Sequence, residues 1–253
     1  MNKIALVTGA TSGIGKATAR QLAEKDFNLI ITGRRKERLE ELANELKQKY
    51  NCETIILNFD IRKQAEVDKA IDGLPENWRN IDVLVNNAGL AAGADPIYDG
   101  LLDDWERMID TNIKGLLYIS KKVMPFMMKR KSGHIVNIGS IAGKQVYPNG
   151  NVYCATKFAV DALTKAMRID LLKHNIRVTQ IAPGAVETEF SIVRYHGDKD
   201  KADNVYKGYT PLFAEDIANA IVFAVTRPAH VNIADVLIMP TAQANPYYWN
   251  KKL

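Results

Sequence analysis

Seven short apolar runs, rich in Val, Ile and Leu, recur along the chain at residues 4–7, 29–32, 54–57, 83–85, 134–138, 177–181 and 236–239. Runs that are apolar throughout, rather than alternating with polar residues, belong to strands buried on both faces. Each gap between them is long enough for a helix. Within the gaps the periodicity changes, as in the span 38–46, where Leu39, Leu42 and Leu46 fall at helical spacing. Strands alternating with helices in this way imply a parallel sheet with helices on both faces, joined by right-handed crossovers.

The expected fold class is therefore α/β: a single-domain, Rossmann-like, doubly wound parallel sheet of about seven strands over residues 1–253. Its ligand crevice should lie beyond the C-terminal strand ends. A composition 47% hydrophobic and 25% charged is that of an ordinary globular chain rather than a disordered or fibrous one. The chain shows no run of apolar residues long enough to span a bilayer and no charged-then-apolar leader, so no membrane partner and a cytoplasmic location are expected. Cys52 and Cys154 are far apart without companion His or Cys, and read as free core thiols. The net charge of +5 is spread among acids, as in Lys36-Glu37-Arg38-Leu39-Glu40-Glu41, which marks a solvated helix face and no nucleic-acid partner. Lys129-Arg130-Lys131 before Ser132-Gly133 reads as a helix end. The span 184–208 is irregular, with scattered Phe190, Tyr195 and Tyr206, and reads as a substrate-covering loop with short helices.

The chemical motifs fall at strand ends. After the first run comes Thr8-Gly9-Ala10-Thr11-Ser12-Gly13-Ile14-Gly15. A glycine-rich turn leading into a helix near Gly13 offers backbone N–H groups and the positive end of the helix dipole to a pyrophosphate. Gly9 suits the tight turn, Gly13 the close approach of the phosphates and Gly15 the packing of the helix, with Thr11, Ser12 and Ile14 completing the loop. The second run ends in Gly33-Arg34-Arg35, with no acid to receive ribose hydroxyls. Two guanidinium groups suit a 2′-phosphate, so NADP(H) is the expected cofactor rather than NAD(H); the competing reading is that the arginines only open a surface helix. Asp60 and Ile61 follow the third run, where the carboxylate can accept from an adenine amino group. Asn87, Ala88 and Gly89 close the fourth, beside the adenosine ribose, although Asp and Asn also serve simply as turn formers.

Tyr153 and Lys157 are four residues apart in Tyr153-Cys154-Ala155-Thr156-Lys157, downstream of Ser140. On a helix both side chains emerge on one face. A phenol with a reference pKa of ~10 becomes a useful acid or base near neutrality when a cation stabilises its phenolate. A carbonyl that receives a hydride develops negative charge on oxygen, and a preorganised hydroxyl pair stabilises it while supplying a proton. The four histidines form no ligand pattern, and no metal is expected.

With these residues in order, the chain resembles the short-chain dehydrogenases/reductases. The resemblance rests on the loop Thr8 to Gly15, Asn86-Asn87-Ala88-Gly89, Asn112, Ser140, Tyr153, Lys157 and Pro183-Gly184. It implies that Tyr153 is the general acid/base and that Lys157 lowers its pKa and holds the nicotinamide ribose. It further implies that Ser140 binds the substrate oxygen, that Asn112 anchors a proton-relay water, and that Pro183, Gly184, Val186 and Thr188 receive the nicotinamide carboxamide. Within the family, the stretch from Val186 to Tyr195 and Pro228-Ala229-His230-Val231-Asn232-Ile233 are similar to NADP-dependent 3-hydroxy acid dehydrogenases acting on serine, allo-threonine or 3-hydroxypropionate-type substrates. A broader ketone, diketone or 3-oxoacyl reductase and a cofactor-sensing regulatory protein are the alternatives. Met239-Pro240-Thr241 stands where acyl-carrier reductases usually have a double glycine. Arg194, the nearest downstream cation to the nicotinamide segment, is expected to clamp the substrate carboxylate, unless it faces solvent or pairs with Glu187, Glu189 or Asp198. The spans 104–129 and 153–173 read as long helices with surplus apolar surface, and similar enzymes are tetramers, which implies a homotetramer.

Overall fold

Each apolar run becomes a strand of one seven-stranded parallel sheet in the computed structural model, which describes residues 2–252. The termini of the expected unit, residues 1 and 253, lie outside the described residues. The strands are β1 (Ile4–Val7), β2 (Asn28–Gly33), β3 (Thr54–Asn58), β4 (Ile81–Asn86), β5 (Gly133–Ile138), β6 (Ile176–Pro183) and β7 (Asp235–Ile238). Their spatial order, β3-β2-β1-β4-β5-β6-β7, reverses direction between β1 and β4. That reversal opens a crevice at the C-terminal ends of these two strands.

The helices are α1 (Gly13–Glu24), α2 (Lys36–Tyr50), α3 (Gln64–Asp72), α4 (Leu102–Ile109), α5 (Leu116–Arg130), α6 (Asn151–Asp170), α7 (Phe190–Arg194), α8 (Lys199–Asn204) and α9 (Ala214–Val225). Because strand side chains alternate between faces, β1 sends Ala5 and Val7 into one core and Ile4 and Leu6 into the other. The first core receives Leu22 from α1, Leu39, Leu42 and Leu46 from α2, and Ile217 and Ile221 from α9. The second receives Val67 and Ile71 from α3, Ile119 and Val123 from α5, and Val160 and Met167 from α6. Burying both sheet faces is what requires strands without polar alternation. Among the described residues, no helix is long and apolar enough to cross a membrane.

Two expected helices are revised. The span 104–129 is not one regular helix: α4 and α5 are joined through a π-helical turn, Asp110–Gly115. The wider turn buries Thr111 and Asn112, and the Asn112 side chain is fixed by Leu90 and Thr156. The span 153–173 begins earlier, at Asn151, and gives way after Asp170 to a 3-10 turn, Leu172–His174, closed by Asn175 in the left-handed region (φ 55°). The expected helix end at Lys129-Arg130-Lys131 is seen, with Lys131 in the left-handed region after α5 (φ 49°). Cys52 and Cys154 are buried and unpaired. The loop after β6 carries α7 and α8, and Val186 bridges to Leu212 at its base.

Candidate active site

The crevice is a cleft of about 350 Å³ running from the β1–α1 loop past the ends of β2, β4, β5 and β6. Thr8 organises its floor. Its buried hydroxyl donates to Val85 O and receives the N–H groups of Asn87 and Ala88, tying the β1 loop to the end of β4. Asn87 reinforces the junction, donating to Thr8 O at 2.8 Å and to Gly9 O at 3.2 Å. Gly9 takes a positive φ of 66°, which its turn requires. A Cβ at Gly15 would come within 2.4 Å of Gly9 O, so only glycine lets α1 start this close to the strand.

A dinucleotide fits this cradle. Helix α1 enters it with no side-chain cap on its N-terminal N–H groups and no acid in its first turn, an arrangement that favours a phosphate. Thr11, Ser12, Gly13 and Ile14 line the cleft, as do Arg34 and Arg35. Arg34 is exposed at the rim. Arg35 is already engaged: Nε donates to Thr11 Oγ1, Nη2 to Thr11 Oγ1 and Ser12 Oγ, and Nη1 to Glu189 Oε2 at 2.8 Å. Asp60 and Ile61 line the adenosine end. Burial pushes the Asp60 carboxyl up, but bidentate bonds from Arg62 outweigh it and hold the group below its ordinary value. Asn87, Ala88, Gly89, Pro183, Gly184, Val186 and Thr188 also face the cleft.

At the other end stand Ser140, Tyr153 and Lys157. Ser140 follows β5 and caps a short 3-10 turn: its hydroxyl accepts from Ala142 N at 3.0 Å and donates to Pro183 O at 3.4 Å. Tyr153 and Lys157 occupy successive turns of α6, with the Lys157 ammonium 5.9 Å from the tyrosine ring centroid and donating to Ile138 O at 2.8 Å. Burial dominates both groups. It lowers Lys157 to about 8, and it pushes Tyr153 above the ordinary phenol value, with Tyr147 adding to the rise and Ser140 and Arg194 opposing it.

Asn112 lies behind the cleft rather than on its lining. Its Nδ2 donates to Leu90 O and Thr156 Oγ1 while Oδ1 accepts from Leu90 N, so the side chain locks the π-helical turn to α6. Arg194 also stands back from the main lining, at the end of α7. It donates to Gly93 O, Tyr147 Oη and Asn149 O, and lies 5.5 Å from the Tyr147 ring centroid. None of these partners is a carboxylate. Glu189 pairs instead with Arg35 and Arg38, and Asp198 with Lys201. The loop is further docked by His196, 3.0 Å from the buried Asp104 of α4.

Several lining residues escape sequence reasoning. Phe190 stands edge-on to Tyr153, ring centroids 5.6 Å apart at 62°, and Leu90, Thr111 and Val193 border the cleft. Only the aromatic character of Phe190 in an irregular span hints at such a role.

The comparisons agree with this geometry. Residues 3–198 match the family model described as short chain dehydrogenase. Sulfoacetaldehyde reductase 2 of Chromohalobacter salexigens is 48% identical over 245 residues, 96% of each chain. The NADP-dependent 3-hydroxy acid dehydrogenase of Schizosaccharomyces pombe is 46% identical over 97% of this chain and 96% of its own. Among solved structures, the closed form of serine dehydrogenase complexed with NADP+ superimposes with a TM-score of 0.91 at 45% identity, over 99% of this chain and 100% of that one. The family-model match over residues 3–198, with relatives 46–48% identical across nearly the whole length, places this chain in the short chain dehydrogenase family.

Proposed function

We propose that this chain is an NADP-dependent oxidoreductase that interconverts the 3-hydroxyl of a small 3-hydroxy acid and the corresponding 3-oxo compound, working as one dinucleotide-binding unit in the cytoplasm. The observation that carries the substrate class is Arg194. Among the described residues its half-buried guanidinium has no carboxylate partner, and it lies close enough to Tyr153 to act on the charge of the phenol. A buried cation without a counter-ion favours an anionic ligand.

The nicotinamide of bound NADP(H) supplies or accepts the hydride, and its oxidised ring brings a positive charge to the catalytic end. Thr11, Ser12, Arg34 and Arg35 would hold the 2′-phosphate, with the loop glycines and the N-terminus of α1 receiving the pyrophosphate. Asp60 and Ile61 would border the adenine. Asn87, Ala88 and Gly89 would border the ribose, and Pro183, Gly184, Val186 and Thr188 the carboxamide. In the reducing direction Tyr153 gives its proton to the substrate oxygen while Ser140 donates a hydrogen bond to it, so the developing negative charge meets two hydroxyls. Lys157 stabilises the phenolate left behind and would hold the nicotinamide ribose. Asn112 holds the π-helical turn beside them; with both of its Nδ2 hydrogens engaged, a relay water would rest on neighbouring backbone.

Relatives named for 3-hydroxy acids and for sulfoacetaldehyde suggest what the substrates share: a reacting carbon separated by one carbon from an anionic head. Carboxylate and sulfonate are both anions that a guanidinium can hold. A homotetramer is part of the proposal, supported by Leu117, Phe158 and Ile169, which are apolar and exposed on α5 and α6.

Arg194→Met tests the substrate class. Losing a charge-assisted bond of about 1.5–3 kcal/mol should lower kcat/KM for anionic substrates by roughly one to two orders of magnitude while sparing an uncharged alcohol. Equal losses for both substrates would make Arg194 a structural support of the loop and send the anion elsewhere.

A further inference from the structure

Glu189 sits at the head of α7, on the loop that follows β6, and its carboxylate reaches across the cleft to the end of β2. There Oε2 accepts from Arg35 at 2.8 Å and Oε1 from Arg38 at 2.6 Å. The contact spans 154 positions in sequence, so it is made by the fold and not by local chain geometry. Arg35 is at the same time held by the hydroxyls of Thr11 and Ser12 in the phosphate loop. One guanidinium thus has hydroxyl partners suited to a phosphate on one side and a carboxylate on the other. The carboxylate occupies the role that a cofactor anion would take.

Resting on the proposed NADP site, we infer that Glu189 is an internal stand-in for the 2′-phosphate, competing with it for Arg35 and so setting how strongly the cleft prefers NADP(H) over NAD(H). The arrangement has the required asymmetry. A 2′-phosphate arriving at Thr11, Ser12 and Arg35 meets a like charge on Glu189, whose carboxylate must give up Arg35. Arg38 lies on the next turn and remains able to hold it. NAD(H) lacks that phosphate and leaves the Glu189–Arg35 pair undisturbed. Burial alone would raise the Glu189 carboxyl, but the two arginines hold it at about 2, so it is charged throughout the working range. The competition is therefore present at any pH where the enzyme operates. Both pairs are well exposed, with side chains 40–45% accessible, which keeps the effect moderate.

Titration of the wild type, Glu189→Gln and Arg35→Ala with NADP+ and with NAD+ by calorimetry tests the inference. Glu189→Gln removes the charge and keeps the size. Releasing an exposed pair of this kind should lower the Kd for NADP+ by roughly two- to fivefold and leave the Kd for NAD+ unchanged. Unchanged or weaker NADP+ binding, or an equal change for both cofactors, would overturn the inference. Arg35→Ala separates this from the reading beneath it. A selective loss of NADP+ affinity in that variant keeps the cofactor site where it is proposed even if Glu189→Gln fails, whereas equal losses for NADP+ and NAD+ would remove Arg35 from the 2′-phosphate site.

Discussion

Tyr153 shows how one side chain is placed for chemistry by its surroundings. Phe190 stands against its ring, Ser140 lines the same end of the cleft, and Lys157 lies one turn along α6. Burial raises the phenol above its ordinary value and lowers Lys157 to about 8. Tyr153→Phe keeps the ring and its packing but removes the proton. On the scale of general acid–base catalysis, turnover should fall by about 10² to 10⁴ while NADP(H) binding, measured by titration, stays close to wild type. A variant that retains most of its turnover would mean that another group moves the proton. This proposed catalytic pair was legible because helical spacing puts both residues on one face; the docking of Arg194 against Gly93, Tyr147 and Asn149 was not, since its partners lie far away in sequence.

At the scale of elements, the strands were the most legible part, because burial on both faces demands continuous apolar runs and leaves a plain signal. The π-helical turn between α4 and α5 was hidden. It depends on Asn112 reaching Leu90 and Thr156, contacts that periodicity does not register. Strand β5 carries a cost of another kind. His134 is buried, with Nε2 2.7 Å from Thr179 Oγ1. The Thr179 hydroxyl gives its hydrogen to Ile233 O, so the imidazole donates through Nε2. Burial, aided by the charge of Arg177, lowers its pKa to about 3 from 6.5. Between those values the unfolded chain binds the proton and the folded one does not, so stability falls as pH drops, by about 1.4 kcal/mol per pH unit. Denaturant unfolding at a series of pH values should show a shallower acid decline in His134→Asn than in the wild type. Parallel declines would place the acid sensitivity in other groups.

For the whole molecule, the order of the sheet decides where the chemistry happens. Reversal between β1 and β4 opens the cleft, and β5 and β6 bring Ser140 and the Pro183–Thr188 segment to its far end. The loop bearing α7 then links the two ends: Glu189 meets the arginines after β2, Phe190 meets Tyr153, and Arg194 lies beyond it. Sequence order made the cleft readable, but this loop became intelligible only in three dimensions, since its partners come from β2, α2, α4 and α6. The central claim is that the assembled cleft carries out NADP-dependent hydride transfer on small anionic alcohols. Its most direct test is the initial rate of nicotinamide reduction by the wild type with NADP+ or NAD+, over a panel of serine, allo-threonine, 3-hydroxypropionate, a hydroxy sulfonate and uncharged alcohols of equal size. The account predicts turnover with NADP+ well above that with NAD+, and kcat/KM for the anionic alcohols well above that for the uncharged ones. Equal rates for anionic and uncharged alcohols, or no turnover of any member with either cofactor, would contradict it.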